Sequence, residues 1–270
     1  MQTEVAPESI RSHTAELFSS DEREKFERDG YVIVRGLADA ATVATMIDVV
    51  RAGLLANDPG PVEYEADLHY PGAPETRQSQ GGDTIRRLKE AHGRHPVFTQ
   101  WVSQPAMAGR LAQLLGPRVV MPLAHHNCIM TKQPRFSSET HWHQDIRYWS
   151  YQRPELVSVW LALGHETEEN GCLYLIPGTQ RMTFARPRLD DNLFLRPELP
   201  ENATLIEQRV KAELEPGDVL FFHGRTFHAA GRNTTTQPKF SVVFTFRPAD
   251  NSPTPGSRSA SMAELLLPTS

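Results

Sequence analysis

The chain has 270 residues, near the upper end of what a single hydrophobic core supports, with 39% hydrophobic residues, 23% charged residues and a formal net charge of -5 at pH 7. Its charges are spread along the chain with no basic stripe for a nucleic-acid backbone, no stretch supplies the roughly 20 apolar residues that cross a bilayer, and the start "MQTEVAPESIRSHTAELF" lacks the basic and apolar runs of an export signal. These features leave one domain with long loops or two small domains open and predict a soluble, cytoplasmic protein that meets neither nucleic acid nor membrane, with Cys128 and Cys172 as reduced core residues. The organisation expected for the chain as a whole is a single domain over residues 1–270, a monomer or weak homo-oligomer with a small-molecule substrate.

Ser19 stands three residues before Glu22, the spacing of a capping box, and "SSDEREKFERDGYVIVRGL" reads as helix, Gly30 stop and a strand over 31–34. Residues 38–56 repeat apolar side chains at helical spacing through Val43, Ile47, Val50 and Leu54. Residues 95–117 repeat the signal, with Pro105 dividing two helical pieces and Gly116-Pro117 ending the second. Residues 1–118 are therefore expected to be mainly helical, and Arg86 and Arg87 to sit on a solvated helix face.

From residue 119 the pattern changes to short apolar strands separated by Pro, Gly and Asn turns: "VVMPLAHHNCIMTK", "LVSVWLALG", "CLYLIPG", "DVLFFHG" and "FSVVFTFR". Many strands with no intervening helices predict a mainly β fold with flanking α-helices, with an antiparallel barrel or jelly-roll core over 119–249. Residues 64–84 and 186–204 resist assignment and are expected to form lids. The tail 250–270 is expected to be loose, apart from a short helix at "MAELLL".

The chemistry concentrates in "ETHWHQDIRYW", residues 139–149. If 140–148 is a strand, His141, His143, Asp145 and Arg147 share one face, and a face of four polar groups either meets solvent or builds a site. A histidine and a carboxylate one residue apart, joined by a distant histidine, make a two-histidine, one-carboxylate face that suits non-haem Fe(II). "GDVLFFHGRTFHAAGRN" offers both His223 and His228 for that place, and spacing does not choose between them.

At these residues the sequence resembles the phytanoyl-CoA dioxygenase family of iron- and 2-oxoglutarate-dependent oxygenases. The resemblance rests on "FERDGYVIVRGL", "TKQP", "HQD", Trp160, "NGCLYLIPGTQR", "PGDVLFFHG" and "HAAGRN", and it runs from about residue 20 to near residue 247. It implies a double-stranded β-helix (jelly roll, cupin-like) with helices packed on one side, Fe(II) held by His143, Asp145 and His228, and 2-oxoglutarate and O2 as co-substrates. It further implies that Gln144 and Trp160 contact 2-oxoglutarate or line its pocket, and it places Lys89 as a looser co-substrate contact.

One departure stands out. Eleven positions beyond His228, where the family carries an arginine for the far carboxylate of 2-oxoglutarate, this chain has Lys239. Lysine supplies a point charge without arginine's fork, and Ser241, two residues on, offers a second donor. Arg147 and His141 are assigned to the substrate side: Arg147 either contacts a polar or anionic substrate group or makes a structural salt bridge, and His141 either hydrogen-bonds near the metal or faces the pocket mouth. His125 and His126 are read as core or pocket wall, and "NGCLYLIPGTQR" as architectural. The expected function is oxidation, by default hydroxylation, of a C–H bond of a small-molecule metabolite, with succinate and CO2 released. The competing functions are a cupin-like metalloenzyme that does not use 2-oxoglutarate and a non-catalytic binding module.

Overall fold

A computed structural model describes residues 17–268. The capping box at Ser19 is formed: its hydroxyl accepts from the Glu22 N–H and its own N–H donates to the Glu22 carboxylate, an exchange worth about 1 kcal/mol at a helix start. It opens α1 (Ser20–Asp29), which ends at Gly30 with φ 81°, and β1 (Tyr31–Val34) follows. Gly30 is required twice, by the left-handed turn and because a Cβ there would lie 2.4 Å from Thr226 Oγ1. Next come α2 (Ala40–Leu55), β2 (Val62–Tyr64), β3 (Ile85–Lys89) and α3 (Ala91–Arg94), and then α4 (Pro96–Val102) and α5 (Pro105–Leu115), divided at Pro105 as expected.

The first part of the chain is less purely helical than the periodicity suggested. β2 and β3 pair antiparallel, and β3 adds to β5 (Asn127–Lys132). "IRRLKE" is therefore a strand and not a helix face: Leu88 is buried in the core, and Arg86 is only 3% exposed. The run 119–132 breaks into β4 (Val119–Pro122) and β5, with His125 and His126 in the connection. After these come β6 (Thr140–His143), β7 (Val157–Ala162), β8 (Leu173–Leu175), α6 (Pro200–Glu207), β9 (Val210–Ala212), β10 (Val219–His223), β11 (His228–Ala230), β12 (Lys239–Pro248) and β13 (Glu264–Leu266).

Two antiparallel sheets form the jelly roll. The larger runs β1-β10-β7-β12-β5-β3-β2, with β4 and β13 attached beside β12, and the smaller runs β6-β11-β8-β9. Strand alternation divides the larger sheet's side chains between two environments. Val32, Val34, Ile129, Val159, Leu161, Val219, Phe221, Val242 and Phe244 join Met46, Trp101, Met107 and Leu111 of the helices in one apolar cluster. The alternate residues Tyr31, Cys128, Trp160, Leu220, Phe222 and Val243 join Leu173, Leu175 and Ala212 of the smaller sheet in a second cluster inside the roll. Cys128 and Cys172 are buried and unbridged. No helix among the described residues is long and apolar enough to cross a membrane.

The C-terminal tail is docked rather than loose over its described length. "MAELLL" supplies β13, which pairs with β4, and Arg247 holds Glu264 in an ion pair. Ser259 bonds both the Ser150 N–H and His125 Nε2, the latter at 2.7 Å. An edge left open by β4 explains why this apolar run extends instead of coiling.

Burial, reinforced by Arg258, holds the His125 pKa down to about 3, and burial, reinforced by Arg225, brings His223 down to about 4. Both folded values lie below the ordinary 6.5, so the unfolded chain takes up more protons as pH falls below 6.5, and stability is lost in that direction. Urea midpoints should fall between pH 6.5 and 5, and the double variant His125→Gln/His223→Gln should show a shallower fall. An unchanged slope would mean that neither histidine is buried neutral.

Candidate metal centre

Two histidines 85 positions apart meet because β6 and β11 are neighbours: His143 is paired directly with His228, their ring centroids 4.2 Å apart. Each ring is turned by its own Nδ1, which lies 2.8 Å from the His141 carbonyl in one case and 3.0 Å from the Thr226 carbonyl in the other. That directs both Nε2 atoms to the same point. His223 is not part of this cluster: the ligand atoms that converge belong to His143, Asp145 and His228, and the His223 Nδ1 accepts the Arg225 N–H in the turn between β10 and β11.

The expectation of one strand through residue 148 fails at Gln144. β6 stops at His143 and residues Asp145–Tyr148 form a 3-10 turn. The Gln144 amide donates to the Arg225 carbonyl and the Ile146 N–H to the Gly224 carbonyl, so the β10–β11 turn ends the ladder. Arg147, which falls in that turn, consequently leaves the strand face that carries His141 and His143, while Asp145 still reaches the centre.

Asp145 is fully buried. Its Oδ2 accepts the Ser158 hydroxyl at 2.6 Å, but its Oδ1 has no hydrogen-bond donor and lies 3.5 Å from His228 Nε2 and 3.8 Å from His143 Nε2. The three residues offer ligand atoms all within 4.8 Å of one another. Burial alone would raise the Asp145 pKa. The imidazoles of His126, His228 and His143 and the Ser158 hydroxyl outweigh it and hold the carboxyl below its ordinary range. Burial, and then the neighbouring His228, push the His143 pKa well below its ordinary value. A neutral imidazole and an ionised carboxylate are the forms that bind a metal, and a buried oxygen without a proton partner is a cost that a divalent cation removes. The residues present thus fit a resident metal ion.

The cavity beside this centre is lined by Arg86, Arg87, His126, Met130, Lys132, Trp160, Gly171, Leu173, Lys239 and Val243 as well as the triad. Trp160 is on its wall as expected, but its N–H, the Ser241 hydroxyl and the Lys239 ammonium all converge on the carboxylate of Glu166, at 2.9, 2.5 and 2.8 Å. Lys239 lines the cavity and Ser241 does not, and both are already engaged by an internal anion. Gln144 does not line the cavity. Lys89 is exposed at the end of β3, in an adjoining groove outside the cavity.

The two segments expected as lids meet over the site. Leu195 N–H bonds the Trp142 carbonyl and Glu139 N–H bonds the Pro71 carbonyl, tying both segments to the entry of β6. Phe194 packs edge-on against Tyr70 at 5.9 Å, His141 at 5.6 Å and His143 at 5.8 Å, and Tyr70 and Tyr148 hydroxyls lie 3.4 Å apart. His141 is thus exposed at the mouth, against a lid ring. Arg147 makes no ion pair among the described residues; its guanidinium stacks 3.8 Å from the Phe194 ring centroid and leaves Nη1 buried without a hydrogen bond. It supports the lid and does not line the cavity.

Sequence reasoning missed Glu166, hidden in the turn "HETEEN", and Phe194, hidden in an unassigned segment. It also undervalued His126, whose Nδ1 lies 3.5 Å from Asp145 Oδ2 with no hydrogen-bond partner. The signal for Glu166 was available in principle, since a lysine buried in an apolar strand needs a counter-charge.

A jelly roll with a two-histidine, one-carboxylate face opening on an internal cavity defines a non-haem iron oxygenase. The chain belongs to the phytanoyl-CoA dioxygenase (PhyH) family, whose profile matches residues 26–241. It is a non-haem Fe(II)- and 2-oxoglutarate-dependent dioxygenase. It is 25% identical to an ectoine dioxygenase of Bordetella parapertussis over 258 residues, covering 89% of this chain and 79% of the relative. Its fold matches EctD from S. alaskensis with bound Fe at a TM-score of 0.72 and 23% identity, covering 95% and 89% of the two chains. It also matches the epimerase SnoN in complex with Fe3+, alpha ketoglutarate and nogalamycin RO, at a TM-score of 0.68 and 22% identity, covering 87% and 85%.

Calorimetric titration of the metal-free protein with Mn(II) should give one site per chain. Asp145→Ala should weaken it by more than about a hundredfold, because both the charge and a ligand atom are removed, while His141→Ala and His223→Ala should leave it unchanged. Equal losses in His223→Ala and His228→Ala would contradict the ligand assignment.

Proposed function

We propose that this enzyme hydroxylates a C–H bond of a small-molecule metabolite, converting 2-oxoglutarate and O2 to succinate and CO2 in the same turnover. The observation that carries the reading is the face formed by His143, Asp145 and His228, with the one unpartnered carboxylate oxygen of Asp145 aimed between two imidazoles. With iron bound, the centre would supply the oxidising power that removes a hydrogen atom from the substrate and returns a hydroxyl group.

The rest of the task falls to side chains of this chain. His143 and His228 would hold the metal, each fixed in orientation by a backbone carbonyl, and Asp145 would supply charge and is itself held by Ser158. The three residues stand together on the cavity wall, so co-substrate and O2 would reach a metal held there from the cavity side. Met130, Trp160, Leu173 and Val243 give the cavity an apolar wall that keeps water from the reacting carbon. Phe194 and Tyr70, joined above His143, close it from the lid side, and Arg147 holds Phe194 down. His126 lines the cavity beside the centre, and burial lowers its pKa, which favours an uncharged ring that can hydrogen-bond a substrate.

In this reading the substrate class is a free small-molecule metabolite, because both lid segments fold over the mouth of the cavity. Scoring succinate release against a metabolite panel, with 18O2 and mass spectrometry, should find a substrate that gains one oxygen from O2. Arg147→Ala should raise the KM for that substrate by roughly tenfold by loosening the lid, with little change in 2-oxoglutarate affinity. A product that loses two hydrogens, or is inverted at a carbon with no oxygen gained, would replace hydroxylation by desaturation, ring formation or epimerisation on the same centre. An Arg147→Ala variant changed only in melting temperature would remove the lid role.

A further inference from the structure

We propose that Lys132, and not Lys239, receives the far carboxylate of the 2-oxo acid co-substrate, and that Lys239 is the internal counter-ion of Glu166. The inference rests on the reading that the enzyme binds 2-oxoglutarate, and it names the residue that selects its tail.

Glu166 is 1% exposed and follows the end of β7, where its backbone N–H and carbonyl are both bonded to Leu214. Its carboxylate is saturated by Trp160, Ser241 and Lys239. The Lys239–Glu166 pair is neutral in sum, and a second carboxylate brought to Lys239 would meet an anion already fixed beside it. Like charges that close cannot share a dry site cheaply.

The other cations on the cavity wall are engaged as well, with one exception. Arg86 pairs with Glu65 at 3.1 Å and bonds Ser138 and Thr140; Arg87 lies 3.3 Å from Glu63. Lys132 stands directly opposite Lys239 in the β5–β12 ladder, so both side chains project from the same face into the cavity. Its ammonium has no hydrogen bond and no carboxylate within ion-pair distance among the described residues. Burial, and then the like charge of Lys239, push its pKa well below the ordinary 10.5, a state that an incoming anion would relieve.

The fold also makes room for it. A Cβ on Gly171 would lie 2.8 Å from Lys132 Cε and 2.5 Å from the Gly231 carbonyl, and Gly171 has φ 78°. The glycine of "NGCLYLIPG" therefore leaves the channel in which the Lys132 stem lies. Asn233 pins the strand behind it by donating to the Lys132 carbonyl at 2.8 Å.

The test is anaerobic calorimetry on the Mn(II)-loaded full chain, with 2-oxoglutarate and with 2-oxobutyrate, which has the same head but no far carboxylate. Lys132→Met should weaken 2-oxoglutarate by roughly tenfold or more, the usual loss of a charge-assisted contact, and leave 2-oxobutyrate within about twofold. The charge-neutral double variant Lys239→Met/Glu166→Gln should keep 2-oxoglutarate within about threefold. Wild-type binding of 2-oxoglutarate should take up protons, read by comparing buffers of different ionisation enthalpy, and Lys132→Met should not. Unchanged 2-oxoglutarate affinity in Lys132→Met overturns the proposal. So does a roughly tenfold loss in the double variant, which decides the matter even if Lys132→Met does not fold. A wild-type protein that binds neither acid would overturn the 2-oxoglutarate reading itself.

Discussion

One oxygen atom sets the terms for this structure. Asp145 Oδ1 is fully buried, accepts no hydrogen bond, and faces two imidazole nitrogens that are turned toward it by backbone carbonyls. An ionised carboxylate in such surroundings costs several kcal/mol unless a cation completes it. Much of the smaller sheet serves that arrangement. β11 is placed beside β6 so that His228 meets His143, the β10–β11 turn ends β6 so that Asp145 swings inward, and Ser158 of β7 in the larger sheet anchors the other carboxylate oxygen.

The same sheet that closes the roll arranges a second set of charges. Lys239 and Glu166 form a pair buried on both sides, 5% and 1% exposed, and removing either partner alone would leave an uncompensated charge at a cost of about 3–5 kcal/mol. Such a pair is a poor seat for a third charge but a good wall. It orients Trp160 and Ser241 and leaves Lys132 as the cation of the cavity wall with no carboxylate in ion-pair distance among the described residues. Metal site and anion seat are then two ends of one cavity. Their spacing along β5, β12 and β6 fixes how a 2-oxo acid can lie.

Much of this was legible in the sequence. The capping box, the Gly30 stop, the break at Pro105 and the short strands after residue 119 rest on local chemistry, and the structure keeps them. His143, Asp145 and His228 were found through their pattern and the family resemblance, although the reason given for Asp145, a continued strand, is not how it reaches the centre. What was not legible depends on tertiary pairing. "IRRLKE" and "MAELLL" have helix-compatible composition but lie beside open sheet edges, where backbone hydrogen bonds decide. Glu166 sits 73 positions from Lys239, and nothing local in "HETEEN" announces a buried carboxylate. Phe194 acquires its role only when residues 64–84 and 186–204 fold over the same mouth.

The central claim is that His143, Asp145 and His228 hold Fe(II) with open positions that a 2-oxo acid can chelate. Its most direct test is the visible difference spectrum of the protein under anaerobic conditions after Fe(II) and then 2-oxoglutarate are added. The account predicts a charge-transfer band that appears only when both are present, saturates at one iron per chain and is absent in Asp145→Ala. A wild-type protein that binds Fe(II) but develops no band, or an Asp145→Ala variant that keeps it, would contradict the account.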